Sequence, residues 1–174
     1  MIIYSGYVEP LLNKNIYRNL SFARKCLPNS KIEVITNGDV LNLSRIKKLF
    51  NSGLSTLLIS VYDGPDDMIK FKKMVREAKL LPNQYVIRNR YMSEEDNFGL
   101  TISNRSGMLK NAEYKIPETS EPLKATCTYP AYTFFIDYNG DVQMCSHDWG
   151  KKYIIGNLNN ETIIDIWCNK KFDM

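Results

Sequence analysis

Residues 56–62, Thr-Leu-Leu-Ile-Ser-Val-Tyr, are apolar almost throughout, and that run restricts the fold more than any other feature. A strand without polar alternation is covered on both faces, as in a parallel sheet wrapped by helices. Its neighbours repeat the theme. Met1–Tyr4, Lys31–Thr36 and Gln84–Tyr91 read as further strands, and amphipathic stretches separate them. Ile16, Leu20, Ala23 and Leu27 recur at helical spacing before Pro28. Leu43, Ile46, Leu49 and Phe50 mark a short helix, with Gly53 placed to end it. Pro65 opens a third helix carrying Met68, Phe71, Val75 and Ala78. The first half is therefore an α/β arrangement of successive βα units.

The rhythm changes after residue 92. Residues 93–126 are polar, contain Pro117 and Pro122, and read as a connector with one strand at 99–103. Within it Asn104 and Arg105 read either as part of a turn or as groups reaching a pocket. From Tyr132 the pattern is that of a hairpin: Tyr132–Tyr138, then Asn139-Gly140, then Asp141–Cys145. Asn-Gly between apolar runs is a strong hairpin signal. Residues 160–172 read as a last amphipathic helix with Ile163, Ile164 and Trp167. The chain is expected to be clipped at both ends, because it starts directly on a strand and stops soon after Trp167.

Hydrophobic residues make up 44% and charged ones 24%, which argues against disorder and coiled coil. No apolar run approaches the ~20 residues of a membrane-spanning helix, and the first ten residues are not a signal peptide. A net charge of +4, spread without a basic block, does not point to nucleic acid. The four cysteines, at 26, 127, 145 and 168, are too sparse for a disulfide framework. They indicate a reducing, cytoplasmic setting and possible metal chemistry.

Two constellations can carry chemistry. Cys127 and Cys145 flank the hairpin, and His147, the only histidine, follows closely. Thiolates bind zinc or iron–sulfur clusters, although free cysteines are as often core residues. The second constellation is the set of strand ends, where parallel sheets bind ligands. Ser5–Pro10, Thr36-Asn37-Gly38, Ser60–Asp63 and Arg88-Asn89-Arg90 stand there. Glu9 can receive an ammonium and an arginine can pair with a carboxylate, which together would suit a zwitterion such as an amino acid. The same residues read equally as ordinary turns and surface arginines.

Several of these segments resemble a known family. Residues 5–16, SGYVEPLLNKNI, are similar to the segment after the second barrel strand of radical S-adenosylmethionine (SAM) enzymes, where a GGEP-like motif meets the amino group of SAM. ITNGD and LLISVYDG resemble the ends of the third and fourth strands. Cys127, twelve residues, Gly140, four residues and Cys145 resemble the C-x(9–15)-G-x4-C opening of the SPASM or twitch domain, and IGNLNNETIIDIW resembles the helix that follows it.

The resemblance implies a partial (βα) barrel over residues 1–92, a connector with the last barrel strand over 93–126, and an incomplete SPASM/twitch-like hairpin-plus-helix subdomain over 127–174. It implies SAM beside Gly6, Tyr7, Glu9, Asn37 and Ser60, with Arg88 or Arg90 for the carboxylate. Cys127 and Cys145 would ligate an auxiliary [4Fe–4S] cluster. Tyr7-Val8 replaces the second glycine of the motif, leaving Glu9 as the firmest contact. The parent enzyme would cleave SAM to a 5′-deoxyadenosyl radical that abstracts hydrogen from a peptide or small-molecule substrate, with a ferredoxin or flavodoxin as electron donor. The CxxxCxxC motif that binds the SAM-cleaving cluster is absent from these residues, so the chain is expected to be catalytically incomplete. Parallel strands lacking their first neighbour leave an open edge, so it is also expected to be poorly soluble alone. Cys26 is expected in the core and Cys168 away from any ligand position. The competing reading is a non-enzymatic module with a zinc site of Cys127, Cys145 and His147, perhaps joined by Cys168.

Overall fold

The apolar run forms β3 (Thr56–Val61), and all six of its residues are buried. In the computed structural model, which describes residues 1–91 and 124–170, β3 lies inside a four-stranded sheet. Its companions are β1 (Ile2–Tyr4), β2 (Ile32–Thr36) and β4 (Tyr85–Asn89), in the order β1-β2-β3-β4. All three pairings are parallel. Helices α1 (Ile16–Cys26), α2 (Leu43–Asn51) and α3 (Pro65–Glu77) connect successive strands.

One face of the sheet is sealed by these helices. Ile32, Val34, Leu57, Ile59 and Val61 pack there with Leu20, Ile46, Leu49, Phe71 and Val75. Alternation turns Ile3, Glu33, Ile35, Leu58, Ser60, Val86 and Arg88 to the opposite face. At the strands bordering the sheet that face is more open, with Ile3 46% and Val86 44% exposed.

Local signals explain where the helices begin. The Asn42 side chain caps α2 by accepting the Arg45 N–H at 2.9 Å. Pro65 stands in the first turn of α3 and is followed by Asp66 and Asp67, favourable at the positive end of the helix dipole. At the other end of the sheet, Arg24 of α1 acts as a staple. Its guanidinium donates to the carbonyls of Pro28, Ser30 and Gly53 and to Ser55 Oγ, at 2.7–3.1 Å. Arginine's rigid fork suits such multiple recognition, though periodicity alone gives no sign of it.

A second compact unit contains the remaining described residues. Strands β5 (Phe135–Ile136), β6 (Asp141–Gln143) and β7 (Ile154–Asn157) form an antiparallel sheet. Helix α4 (Ile163–Trp167) packs on it through Ile166, which joins Val142 and Ile155 in a small core. Gly156 permits this approach, since a Cβ there would lie 2.6 Å from Ile166. A capping box of Thr162 and Asp165 starts α4. The Thr162 hydroxyl holds the Asp165 carboxyl below its ordinary range.

Several expectations need correction. The hairpin has shorter arms, Phe135–Ile136 and Asp141–Gln143, and Tyr132, where the apolar pattern starts the first arm, instead caps a preceding 3-10 turn over Tyr129–Ala131. The hairpin turn closes with the Gly140 N–H on Asp137 O at 3.0 Å, and Gly140 stands at φ +85°. The last helix starts at its capping box and stops at Cys168, shorter than the apolar pattern alone indicates. Cys26 is exposed, not core: it is the final residue of α1, past the turns that carry the buried Ile16 and Leu20. The strand expected at 99–103 and the pair Asn104–Arg105 lie outside the described residues.

Candidate functional site

Glu9 organises the carboxyl end of the parallel sheet. After β1 the chain bends at Gly6, whose φ is +121°, and Glu9 then caps a short 3-10 turn over Pro10–Leu12. Its Oε1 accepts the Leu11 N–H at 3.0 Å and the Thr36 hydroxyl at 2.7 Å. Its Oε2 accepts the Asn37 N–H at 2.8 Å. Thr36 is 2% exposed, and its Oγ1 in turn accepts the Gly38 N–H at 3.0 Å. Sequence reasoning placed Thr36 at a strand end without giving it a role; its position between a strand and an Asn-Gly turn is the signal for one.

These bonds change the reading of Glu9. A carboxylate offers about four acceptor positions, and three donors already use this one. Glu9 is first a clamp that fixes the β1 loop against the end of β2. Glu9→Gln keeps the shape but turns an amide N–H toward at least one of those donors. Both Glu9→Gln and Glu9→Ala are therefore expected to lower stability by about 1–3 kcal/mol, measured by urea unfolding. A neutral Glu9→Gln would show that the carboxylate does not hold the loop.

The other strand-end residues divide. Ser60 is buried and stands directly across from Arg88 in the β3–β4 register, so the sheet does bring these two together. The Asn37 side chain is engaged with its own turn: its Nδ2 donates to Asp39 Oδ2 at 2.7 Å, and its Oδ1 accepts the Asp39 N–H at 3.1 Å. Tyr7 is half-buried and Gly6 exposed. Arg88 is exposed, whereas Arg90, two residues on, is half-buried. The Arg90 backbone N–H donates to Val61 O at 2.8 Å. Its side-chain Nε is buried without a hydrogen-bond acceptor, and among the described residues its guanidinium has no ion pair. A buried guanidinium donor left this way is costly unless a ligand supplies the acceptor.

In the second unit Cys127 precedes the 3-10 turn and is exposed, while Cys145 follows β6 and is half-buried. The Cys145 Sγ accepts the His147 N–H at 3.4 Å. A half-buried sulfur with a backbone donor aimed at it suits thiolate ligation of a cluster, where such bonds tune the metal. Zinc fits less well. Among the described residues no three Cys, His, Asp or Glu side chains converge as a metal site, and both His147 and Cys168 are exposed. The zinc reading thus lacks its closed tetrahedral set.

The end of β6 and the loop beyond Cys145 also hold polar residues that spacing did not single out. Gln143 and Asp148 are 1% and 7% exposed. The Lys151 ammonium pairs with Asp137 on the hairpin turn and lies 5.1 Å from the Tyr138 ring centroid. The hydrogen bond that its ammonium donates to the Asp137 carboxylate raises the Lys151 pKa above its ordinary value.

Residues 127–174 match the SPASM family, an iron–sulfur cluster-binding domain. A curated relative from Niallia circulans, the S-adenosyl-L-methionine-dependent 2-deoxy-scyllo-inosamine dehydrogenase, is 29% identical over 171 residues. The match takes in 98% of this chain and 63% of the relative. The crystal structure of BtrN in complex with AdoMet and 2-DOIA aligns at a TM-score of 0.75 and 25% identity, covering 99% of this chain and 63% of that one. The chain is therefore similar to radical SAM/SPASM proteins, and its residues 127–174 match the SPASM domain itself. Selenomethionine BtrN in an open conformation shares the fold, with a TM-score of 0.66 at 22% identity over 99% of this chain and 60% of that one. The chain thus spans less than two thirds of the length of either relative. Among its described residues, no helix is long and apolar enough to cross a membrane.

Proposed function

We propose that the chain forms part of a radical SAM/SPASM iron–sulfur enzyme, contributing a SAM-binding sheet edge and two ligands of an auxiliary [4Fe–4S] cluster. When bound and reduced by one electron, SAM supplies the radical that abstracts hydrogen from the substrate. The name of the Niallia circulans relative makes dehydrogenation of a polyhydroxylated small molecule the first reaction to assay, with peptide substrates as the alternative. The residues here bind and orient. Glu9 fixes the loop that faces the methionine amino group and keeps one acceptor position for it. The Gly6–Tyr7 backbone and Asn37 border the same end, and Ser60 lines it beside Arg88. Cys127 and Cys145 hold the auxiliary cluster.

The observation that carries the SAM site is Arg90. Its buried, acceptor-free Nε makes it, in preference to the exposed Arg88, the partner of the ligand carboxylate. A charge-assisted hydrogen bond of this kind is worth about 1.5–3 kcal/mol, or roughly 10- to 100-fold in affinity. Arg90→Ala is therefore expected to weaken S-adenosylhomocysteine binding in equilibrium dialysis by that factor, and Arg88→Ala by much less. Equal binding by Arg90→Ala and the parent chain would refute the assignment.

The ligands of the SAM-cleaving cluster are not among these residues, and the electron comes from a donor such as a ferredoxin or flavodoxin. Anaerobic iron–sulfur reconstitution followed by a 5′-deoxyadenosine assay tests this. Turnover by the 174-residue chain alone would overturn the incomplete-catalyst reading. Four unpaired cysteines support a reducing compartment, and we place the protein in the cytoplasm.

A further inference from the structure

We propose that Asp148, aided by the Lys151–Asp137 pair, is a positioning residue that sets the Cys145 sulfur and the backbone donor aimed at it. This rests on Cys145 being a cluster ligand.

Gln143 of β6 stands opposite Ile154 of β7, so the residues between them project as a loop. At its base Met144 packs against the small core; farther out, Trp149 and Tyr153 are 45% and 59% exposed. Polar bonds brace the loop as well. At its base the Met144 N–H donates to Tyr153 O at 3.1 Å. Asp148 then ties four points together. Its carboxylate accepts the Tyr153 N–H at 2.7 Å, and its own N–H donates to Cys145 O at 3.1 Å. Its carbonyl accepts the Lys151 N–H at 3.0 Å and the buried Gln143 amide at 3.5 Å.

Lys151 adds a tether to the neighbouring turn. It holds φ +51°, a left-handed conformation that an L-residue with a side chain adopts only at a cost. From there its ammonium reaches Asp137, whose side chain is 6% exposed. Asp137 is itself fixed to β6 by its N–H on Asp141 O at 2.8 Å. The loop is thereby clamped at its base, its middle and its far side. The product of this bracing is the His147 N–H on Cys145 Sγ. Such a bond stabilises negative charge on sulfur, and hydrogen bonds to cluster sulfurs help to set reduction potential.

The test uses the full chain with Asp148→Ala, Asp148→Asn, Lys151→Met and Cys145→Ala. After anaerobic reconstitution, iron per chain is counted and the cluster potential is read by EPR-monitored titration. Asp148→Ala is expected to lose iron or shift the potential downward, with an altered EPR signal. Asp148→Asn, which keeps an acceptor for the Tyr153 N–H, is expected to recover most of it, and Lys151→Met to fall between. Iron content, EPR signal and potential unchanged in Asp148→Ala would overturn the positioning role while leaving the cluster ligands standing. Equal loading of Cys145→Ala and the parent chain, or no loading of either, would instead overturn the cluster reading beneath it. Hydrogen exchange of the metal-free chain provides a readout without any cluster. Residues 145–153 are expected to exchange faster in Asp148→Ala than in the parent or Asp148→Asn, and equal rates would also overturn the proposal.

Discussion

Phe71→Ala is expected to cost the first unit about 3–5 kcal/mol, the range for emptying a buried aromatic site. Phe71 is 1% exposed and projects from α3 into the core shared with β2 and β3. Its ring also fills the space beneath the turn at Gly38. Removing it leaves a void under the turn that carries the Asn37 N–H to Glu9. Because domains of this kind have only about 5–15 kcal/mol of stability, the loss is a large share of the whole. Urea unfolding followed by far-ultraviolet circular dichroism, which reports α1–α3, should show the lower midpoint. Tryptophan fluorescence would not substitute, since both tryptophans, Trp149 and Trp167, lie in the second unit. A midpoint within error of the parent chain would mean that Phe71 is not a core anchor.

Gly38→Val approaches the same contact from the other side. Gly38 stands at φ +87°, and a Cβ there would lie 2.3 Å from Phe71 Cζ. The left-handed conformation costs about 1–2 kcal/mol for a residue with a side chain, and overpacking typically about 1–3 kcal/mol more. The sum is roughly 2–5 kcal/mol by the same two rules. The two components separate in a cycle. Combining Gly38→Ala with Phe71→Leu removes much of the clash but none of the backbone strain. The pair is therefore expected to be less destabilised than the sum of its single changes, with a coupling of about 0.5–3 kcal/mol. Strict additivity would mean that the ring and the turn do not meet. Gly38→Val is also expected to weaken S-adenosylhomocysteine binding even where folded protein is assayed, because the displaced turn carries the Asn37 N–H that secures Glu9.

The βα alternation was readable because its signals are local. A run such as Thr56–Tyr62 states its burial in its own composition, and Pro65 or Asn42 marks a helix start within a few residues. The hairpin and last helix were readable in kind but not in extent. Tyr132, taken up as the cap of a 3-10 turn, and the capping box at Thr162 trim elements that periodicity extends. Cys26 misled for a related reason: helical spacing placed it beside the apolar stripe, and only the packing of α1 decided that its final residue is exposed.

What the sequence by itself determined is the order of elements, the α/β class of the first half and the identity of the residues at the strand ends. It also singled out Cys127 and Cys145, because a thiol pair flanking an Asn-Gly turn is visible in spacing alone. Only the tertiary structure decided which groups those residues meet. Glu9 looked like a free acceptor until Thr36 and Asn37, distant in sequence, were seen to occupy most of its carboxylate. Arg88 and Arg90 were equivalent as letters, and burial of a single nitrogen separated them. Asp148 and Lys151 drew no notice, because a hub of hydrogen bonds has no period and no fixed spacing. Hydrophobic pattern is carried by neighbours along the chain, whereas hydrogen-bond satisfaction is settled by groups that meet only after folding.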